Sequence, residues 1–149
     1  MITKLNHIGI AVADLDRSAQ LLSTIFGVGE RGREDVPSQR VKVAFFELEG
    51  VSLELTAESA PGSPIGKFIE KKGEGIHHLS FEVDDLGAEL RRLEDAGIQL
   101  IDRVPRPGAD NHLVAFLHPK STNGVLIELC QRAGAGGTVA VGPGGGGIR

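Results

Sequence analysis

The chain has 149 residues, of which 40% are hydrophobic and 24% charged, a composition typical of a globular protein the size of one ordinary domain. Its formal charge of −4 gives no general attraction to nucleic acid, and no run of about 18 apolar residues is available to span a membrane. The single cysteine, Cys130, excludes an intramolecular disulfide and a cysteine-based zinc site, and the N-terminus lacks the pattern of a signal peptide, so we expect a cytoplasmic protein.

The first predicted elements are a strand and a helix. Apolar side chains alternate in "LNHIGIAV", which places His7 on the face opposite to the isoleucines. Asp14 then stands where an N-cap satisfies the free backbone N–H groups of a helix, and Gly27 is expected to end that helix. The apolar residues between them follow the spacing of an amphipathic helix: Leu15, Ala19 and Leu22.

A strand–turn–strand segment, "VAFFELEGVSLELT", follows later in the chain. The dipeptide "EG" at 49–50 predicts a two-residue turn, and this turn pairs Phe45 with Glu54 across the two strands. Because cross-strand partners share a face of the sheet, we expect Val43 and Glu47 on the same face as Glu54.

A short helix is predicted after this segment. Ser63 is in the position of an N-cap, Pro64 suits the first helical residue, and Gly73 ends the helix. Its apolar side consists of Ile65, Phe68 and Ile69. This helix is the natural linker between the two halves of the chain.

The second half of the chain repeats the first. His78 falls on His7 and Asp85 falls on Asp14, each 71 positions later. Gly97 is expected to end the second helix, as Gly27 ends the first. The apolar residues of the second helix repeat the spacing of the first: Leu86, Leu90 and Leu93. The segment "VAFLHPKSTNGVLIELC" then repeats the strand–turn–strand unit with a longer turn.

Two histidines stand next to each other at the start of the second copy. Adjacent residues of a strand point to opposite faces, so His77 and His78 cannot both face one site. The repeat separates them, because His78 falls on His7 whereas His77 falls on Asn6. We therefore expect His78 to share the role of His7 and His77 to point away.

Each copy offers one histidine from its first strand and one glutamate from its last: His7 and Glu54, then His78 and Glu128. Two imidazoles and two carboxylates suit a divalent transition metal such as Co, Ni, Mn, Fe or Zn. Three alternatives without a metal fit the same pattern: a strand histidine that packs in the core, a glutamate that faces solvent, and a pair that duplication alone has preserved.

The order of these four residues resembles that of the vicinal oxygen chelate superfamily and, within it, the methylmalonyl-CoA epimerase family. Three stretches carry the resemblance: "LNHIGIAV", "SPIGKFIEKKGEGIHHLSFEVDD" and "FLHPKSTNGVLIEL". The resemblance covers residues 4 to about 131. It implies an α+β fold in which paired βαβββ modules form an eight-stranded, cup-shaped sheet around a metal site. It also implies one domain over residues 1–132, with modules at about 4–58 and 75–131, a linker helix at 62–73 and a flexible Gly-rich tail at 133–149.

The resemblance implies an activity: epimerisation of (2R)- and (2S)-methylmalonyl-CoA, by removal and return of the C2 proton through an enolate that the metal stabilises. It implies His7, Glu54, His78 and Glu128 as metal ligands, with Co²⁺ as the first expectation and Mn²⁺, Ni²⁺ or Zn²⁺ as alternatives. A small-molecule CoA thioester is the expected partner, nucleic acid and membranes are not, and a homodimer is the expected assembly.

Inversion at C2 requires an acid and a base on opposite faces of the substrate. Glu128 is the first candidate. Several members of the family carry a second glutamate at the position where this chain has Val43, so Glu47 or His112 would have to replace it. Two further functions stay open on the sequence alone: a glyoxalase I-like lyase, and a metal-free module that binds and sequesters a drug.

Overall fold

A computed structural model describes residues 1–135, which form three α-helices and eight β-strands. The helices are α1 (Leu15–Phe26), α2 (Pro64–Lys72) and α3 (Leu86–Asp95). The strands are β1 (Ile2–Ala11), β2 (Gly32–Val36), β3 (Val41–Leu48), β4 (Val51–Glu58), β5 (Gly75–Val83), β6 (Arg106–Pro107), β7 (His112–Phe116) and β8 (Ile127–Arg132). From residue 136 onwards the predicted Gly-rich tail lies outside the described residues.

The described residues divide into two compact units. The first unit is His7–His77, and its strands follow the order β2-β3-β4-β1. Within it, β1 runs parallel to β4, and the pairing places Gly9 opposite Glu54. The hairpin of β3 and β4 has the predicted register, with Phe45 opposite Glu54. The two-residue turn at 49–50 is therefore confirmed.

The second unit contains Met1–Asn6 and residues 78–135, and its strands follow the order β5-β8-β7-β6. Strand β5 runs parallel to β8 with Ser80 opposite Glu128, and β7 runs antiparallel to β8 with Phe116 opposite Glu128. The first residues of β1 also belong here, since Thr3 Oγ1 donates a hydrogen bond to the Glu82 carbonyl.

The two units repeat one another in strand direction and in register. In each of them the first strand is parallel to the last, and a helix and two further strands connect the two. This order confirms the α+β class and the paired βαβββ modules. The assignment of residues 1–132 to a single domain stays a prediction.

Each helix packs on the sheet of its own unit and buries an apolar face. The core of the first unit contains Val12, Leu15, Ala19, Ala44, Phe46, Leu55 and Ala57. The core of the second unit contains Val83, Leu86, Leu90, Ala115, Leu117 and Leu129. The apolar residues predicted on one side of α1 and α3 are therefore the residues that these helices bury.

The predicted helix ends are correct except at one position. The side chains of Asp14 and Asp85 accept hydrogen bonds from the backbone N–H groups of Arg17 and Ala88. Gly27 ends α1 in the left-handed conformation, as expected. At α3 the cap residue is Ala96, one residue earlier than predicted, and Gly97 follows it in the left-handed conformation with its N–H donated to the Glu94 carbonyl.

The linker helix is confirmed as α2. The Ser63 side chain accepts a hydrogen bond from the backbone N–H of Gly66 at 2.9 Å and donates one to Glu58 Oε2 at 2.6 Å. A side chain at Gly66 would collide with the same carboxylate of Glu58, so the glycine leaves room for this carboxylate to approach the start of α2.

Among residues 1–135, none of the helices has both the length and the apolar character that crossing a membrane requires.

Replacing Leu86 by alanine should lower the free energy of unfolding by about 2–5 kcal/mol, because Leu86 is completely buried in the core of the second unit and its removal leaves a cavity. Urea denaturation measures the change. The matched control is Leu21→Ala on α1, whose side chain is 58% exposed and should change the stability by no more than about 0.5 kcal/mol. Equal losses in the two variants would contradict the assignment of the core.

Candidate functional site

The first unit brings together the histidine and the glutamate of the first copy. His7 on β1 and Glu54 on β4 are both buried, and His7 Nε2 lies 3.0 Å from Glu54 Oε2. The parallel pairing causes this contact, since Gly9 lies opposite Glu54 and His7 is two residues away on the same face. Two ligand atoms at a right angle around a metal, each at about 2.0–2.2 Å from it, are about 3 Å apart. The separation therefore fits a pair of neighbouring metal ligands.

The second unit places the repeated residues in equivalent positions. His78 on β5 and Glu128 on β8 are both buried. Ser80 Oγ donates a hydrogen bond to Glu128 Oε1 at 2.6 Å, and Ser80 itself has no exposed surface. The ring of His78 meets the edge of Phe116, with 5.6 Å between the ring centres, and Phe116 lies opposite Glu128.

The two copies differ at one neighbour of the carboxylate. Gly9 lies opposite Glu54 in the first unit, and Ser80 lies opposite Glu128 in the second. Glycine has no side chain to offer, whereas the serine hydroxyl engages one carboxylate oxygen and fixes the orientation of the group. Only the second glutamate therefore has a hydroxyl partner from its neighbouring parallel strand.

His77 has a different environment from His78. Its ring packs against Phe68 of α2, with 4.9 Å between the ring centres. Burial, followed by the charge of Lys72, lowers the pKa of His77 to about 4. The imidazole is therefore neutral at pH 7, and it packs against a helix rather than against the strand residue that His78 contacts. This difference agrees with the alternation expected along β5.

Glu47, the first alternative acid or base, lies at the margin of the first unit. Register places it opposite Ser52, on the face that carries Glu54. Its side chain is 49% exposed, and its Oε1 accepts a hydrogen bond from Arg31 Nε at 2.8 Å. The guanidinium of Arg31 also lies over the ring of Phe45, 4.5 Å from the ring centre. Glu47 is thus held on the same face as Glu54, two residues along β3 from Phe45, the cross-strand partner of Glu54.

His112, the second alternative, is buried at the start of β7. Its Nδ1 lies 2.8 Å from the carbonyl oxygen of Asp110, and because a carbonyl only accepts, Nδ1 must carry the proton. In the neutral ring Nε2 then holds a lone pair. His112 is, however, four residues from Phe116 along β7, a rise of about 13 Å. His112 therefore lies far along the strand from Phe116, the cross-strand partner of Glu128.

The sequence offered Arg106 only as one of five basic residues that could meet the CoA moiety of the expected substrate, with Lys71, Lys72, Arg103 and Lys120. The structure places it on the face of the second sheet that carries Glu128. Arg106 lies opposite Val114, and Val114 lies opposite Cys130, two residues from Glu128. Arg106 is buried, although an arginine is normally exposed. The strand of two residues that carries it is too short to give a pattern, so no sequence signal could have identified its position.

The donor set suits a divalent metal. Each of His7, Glu54 and His78 is buried and offers one ligand atom that can hold a metal ion, and Glu128 offers a further buried carboxylate. Without a thiolate, the set favours first-row divalent cations over metals that require sulfur. Buried carboxylates also need a cation or a proton to balance their charge.

Comparison with known proteins identifies relatives over most of the chain. The model of the glyoxalase/bleomycin resistance protein/dioxygenase superfamily matches residues 6–116. An ethylmalonyl-CoA/methylmalonyl-CoA epimerase of Cereibacter sphaeroides is 41% identical, over 88% of this chain and 99% of the relative. A mitochondrial methylmalonyl-CoA epimerase of Homo sapiens is 36% identical, over 86% of this chain and 73% of the relative.

A solved structure has the same fold. It is a variant of the methylmalonyl-CoA epimerase of Streptomyces coelicolor in complex with 2-nitronate-propionyl-CoA. The two chains are 31% identical and superpose with a TM-score of 0.86, over 93% of this chain and 100% of the other. The resemblance found in the repeated motifs is confirmed by both kinds of comparison.

Proposed function

The chain belongs to the glyoxalase/bleomycin resistance protein/dioxygenase superfamily, and we propose that it is a metal-dependent epimerase of methylmalonyl-CoA. One observation of the structure carries the proposal: each unit holds a buried histidine and a buried glutamate at equivalent positions on its first and last strands. The similarity to epimerases that act on this thioester supplies the substrate.

The reaction requires removal of a proton from C2, which lies between a thioester and a carboxylate, and return of a proton to the other face. Negative charge then builds up on the thioester oxygen. A divalent metal held by His7, Glu54, His78 and Glu128 supplies a Lewis acid for that charge, an effect of several kcal/mol. We propose Co²⁺ as that metal, with Mn²⁺, Ni²⁺ and Zn²⁺ as alternatives that the same donor set accepts.

Glu128 is the first proposed acid–base residue. It is buried, and Ser80 fixes the orientation of its carboxylate by a hydrogen bond to Oε1. A carboxylate fixed in this way is pre-oriented, so little conformational freedom is lost when it transfers a proton. Burial of Glu128 lowers the local dielectric constant and so strengthens its interaction with a developing charge.

Glu47 is the proposed second acid–base residue. It lies on the same face as Glu54, two residues along β3 from the cross-strand partner of Glu54, and Arg31 holds its carboxylate in place. His112 offers a lone pair on Nε2, but its position about 13 Å along β7 from Phe116 disfavours a role at the same carbon as Glu128.

The homodimer and the cytoplasmic location remain predictions.

With Co²⁺ or Mn²⁺ present, the protein should exchange the C2 proton of methylmalonyl-CoA with deuterated water and interconvert the two epimers. NMR or mass spectrometry measures the exchange. The absence of exchange with either metal would exclude the epimerase. If the protein were then to act on the hemithioacetal of glutathione, the glyoxalase I-like lyase would replace it, and tight drug binding by the metal-free protein would favour a sequestering module.

Replacing His78 by alanine should lower the bound metal and abolish the exchange, whereas His77→Ala should keep the metal and most of the exchange. The reason is that His77 packs against Phe68 and lies on the other face of β5. Metal content after dialysis and the exchange rate are measured on both variants, at a temperature where circular dichroism shows them folded. Equal loss of metal in the two variants would contradict the assignment.

Replacing Glu47 by glutamine should slow interconversion of the epimers by about 100-fold or more, the usual contribution of an acid–base group. One epimer should still exchange its C2 proton, because Glu128 remains. His112→Ala is the comparison variant and should interconvert the epimers at close to the normal rate. The reverse outcome would assign the second role to His112.

A further inference from the structure

Arg106 is a buried cation in a protein whose other described positive charges are at or near its surface. Of the lysines and arginines among residues 1–135, it alone is buried, with 6% of its surface exposed. Burying a guanidinium costs free energy unless its charge is balanced and its N–H groups find acceptors. The position of Arg106 therefore calls for a specific reason.

The protein satisfies this guanidinium only in part. Asp102 Oδ1 lies 3.3 Å from Arg106 Nε, and the other oxygen of Asp102 accepts a hydrogen bond from the backbone N–H of Phe116 at 2.9 Å. Within the described residues, the buried Nη2 of Arg106 has no hydrogen-bond partner. Asp102 thus balances the charge and anchors the strand, but it does not use the fork of donors that an arginine can present to a carboxylate.

The guanidinium lies beside the proposed active-site residues of the second unit. Its central carbon is 5.4 Å from the centre of the Phe116 ring. The same ring contacts the ring of His78, and Phe116 lies opposite Glu128 in the sheet. Arg106 is therefore separated by one aromatic ring from a proposed metal ligand, on the face that carries the proposed acid–base carboxylate.

We infer that Arg106 binds the free carboxylate of the substrate and so selects a malonyl-type thioester over an acyl thioester that lacks this group. The inference rests on the proposed function, because it takes the substrate from there. The protein has a formal charge of −4, and Glu128 and Asp102 add negative charge locally, so an anionic group needs a nearby cation. Contact with Phe116 orients the guanidinium in advance, which reduces the entropy lost on binding.

Arg106 suits this role better than His112, whose Nδ1 proton is already used by the Asp110 carbonyl. A guanidinium is always charged and presents several N–H donors in a fork that matches a carboxylate.

Calorimetric binding of methylmalonyl-CoA and propionyl-CoA tests the inference, since the two thioesters differ only in the carboxylate. At equal metal loading, the wild-type protein should bind methylmalonyl-CoA about 10- to 100-fold more tightly, the range expected for a charge-assisted hydrogen bond. Arg106→Gln should lose most of that preference. Arg103→Gln is the matched control, because Arg103 lies three residues before Arg106 with 78% of its side chain exposed, and it should behave as wild type. A preference that persists in Arg106→Gln would overturn the inference.

A second measurement covers the case in which Arg106→Gln does not fold. In wild-type protein labelled with ¹⁵N-arginine, the Nε–Hε resonance of Arg106, identified by its loss in Arg106→Lys, should shift with methylmalonyl-CoA and not with propionyl-CoA. The same response to both thioesters would overturn the inference. Both measurements report binding, so the C2 exchange assay judges the proposed reaction separately: an Arg106-dependent preference without exchange would keep the carboxylate site and reject the epimerase.

Discussion

The parallel pairing of the first and last strands of each copy is the constraint on which the candidate site depends. Parallel neighbours cannot be joined by a tight turn, so a long crossover connection must intervene. In this chain α1 with β2 and β3, and α3 with β6 and β7, fill those connections. The pairing places Gly9 opposite Glu54 and Ser80 opposite Glu128, and so puts a histidine of the first strand on the same face as a glutamate of the last.

Duplication produced two similar carboxylate sites, and their neighbours have since diverged. Ser80 donates a hydrogen bond to Glu128, whereas Gly9, at the equivalent position, has no hydroxyl to offer Glu54. A carboxylate oriented by a hydroxyl can combine metal binding with proton transfer. This difference supports the proposal that Glu128 rather than Glu54 acts on the substrate.

The second sheet adds a feature that the first lacks among the described residues, a buried arginine on the face of the glutamate. One oxygen of Asp102 pairs with Arg106, and the other accepts a hydrogen bond from the backbone N–H of Phe116. The same carboxylate therefore positions the guanidinium and the residue whose ring lies beneath it. The binding group and the acid–base group proposed for the reaction thus rest on strands of one unit.

Local signals determined much of the fold in advance. The caps at Asp14 and Asp85, the linker helix after Ser63 and the two-residue turn at 49–50 depend on a few neighbouring residues, and each is confirmed by the structure. The end of α3 shows the limit of such signals, because the choice between Ala96 and Gly97 depends on which N–H reaches the last carbonyls.

The sequence by itself determined the repeat and the strand and helix order of each copy, because these follow from spacing along the chain. The repeat also selected His7, Glu54, His78 and Glu128, and the resemblance to a known family implied that they bind a metal. Only the tertiary structure decided that Ser80 meets Glu128, that Glu47 is half exposed beside Arg31, and that Arg106 is buried against Phe116. Those contacts join residues from different strands and loops. Burial and hydrogen-bond partners at such positions are set by how the strands pack, and the spacing along one strand does not contain that information.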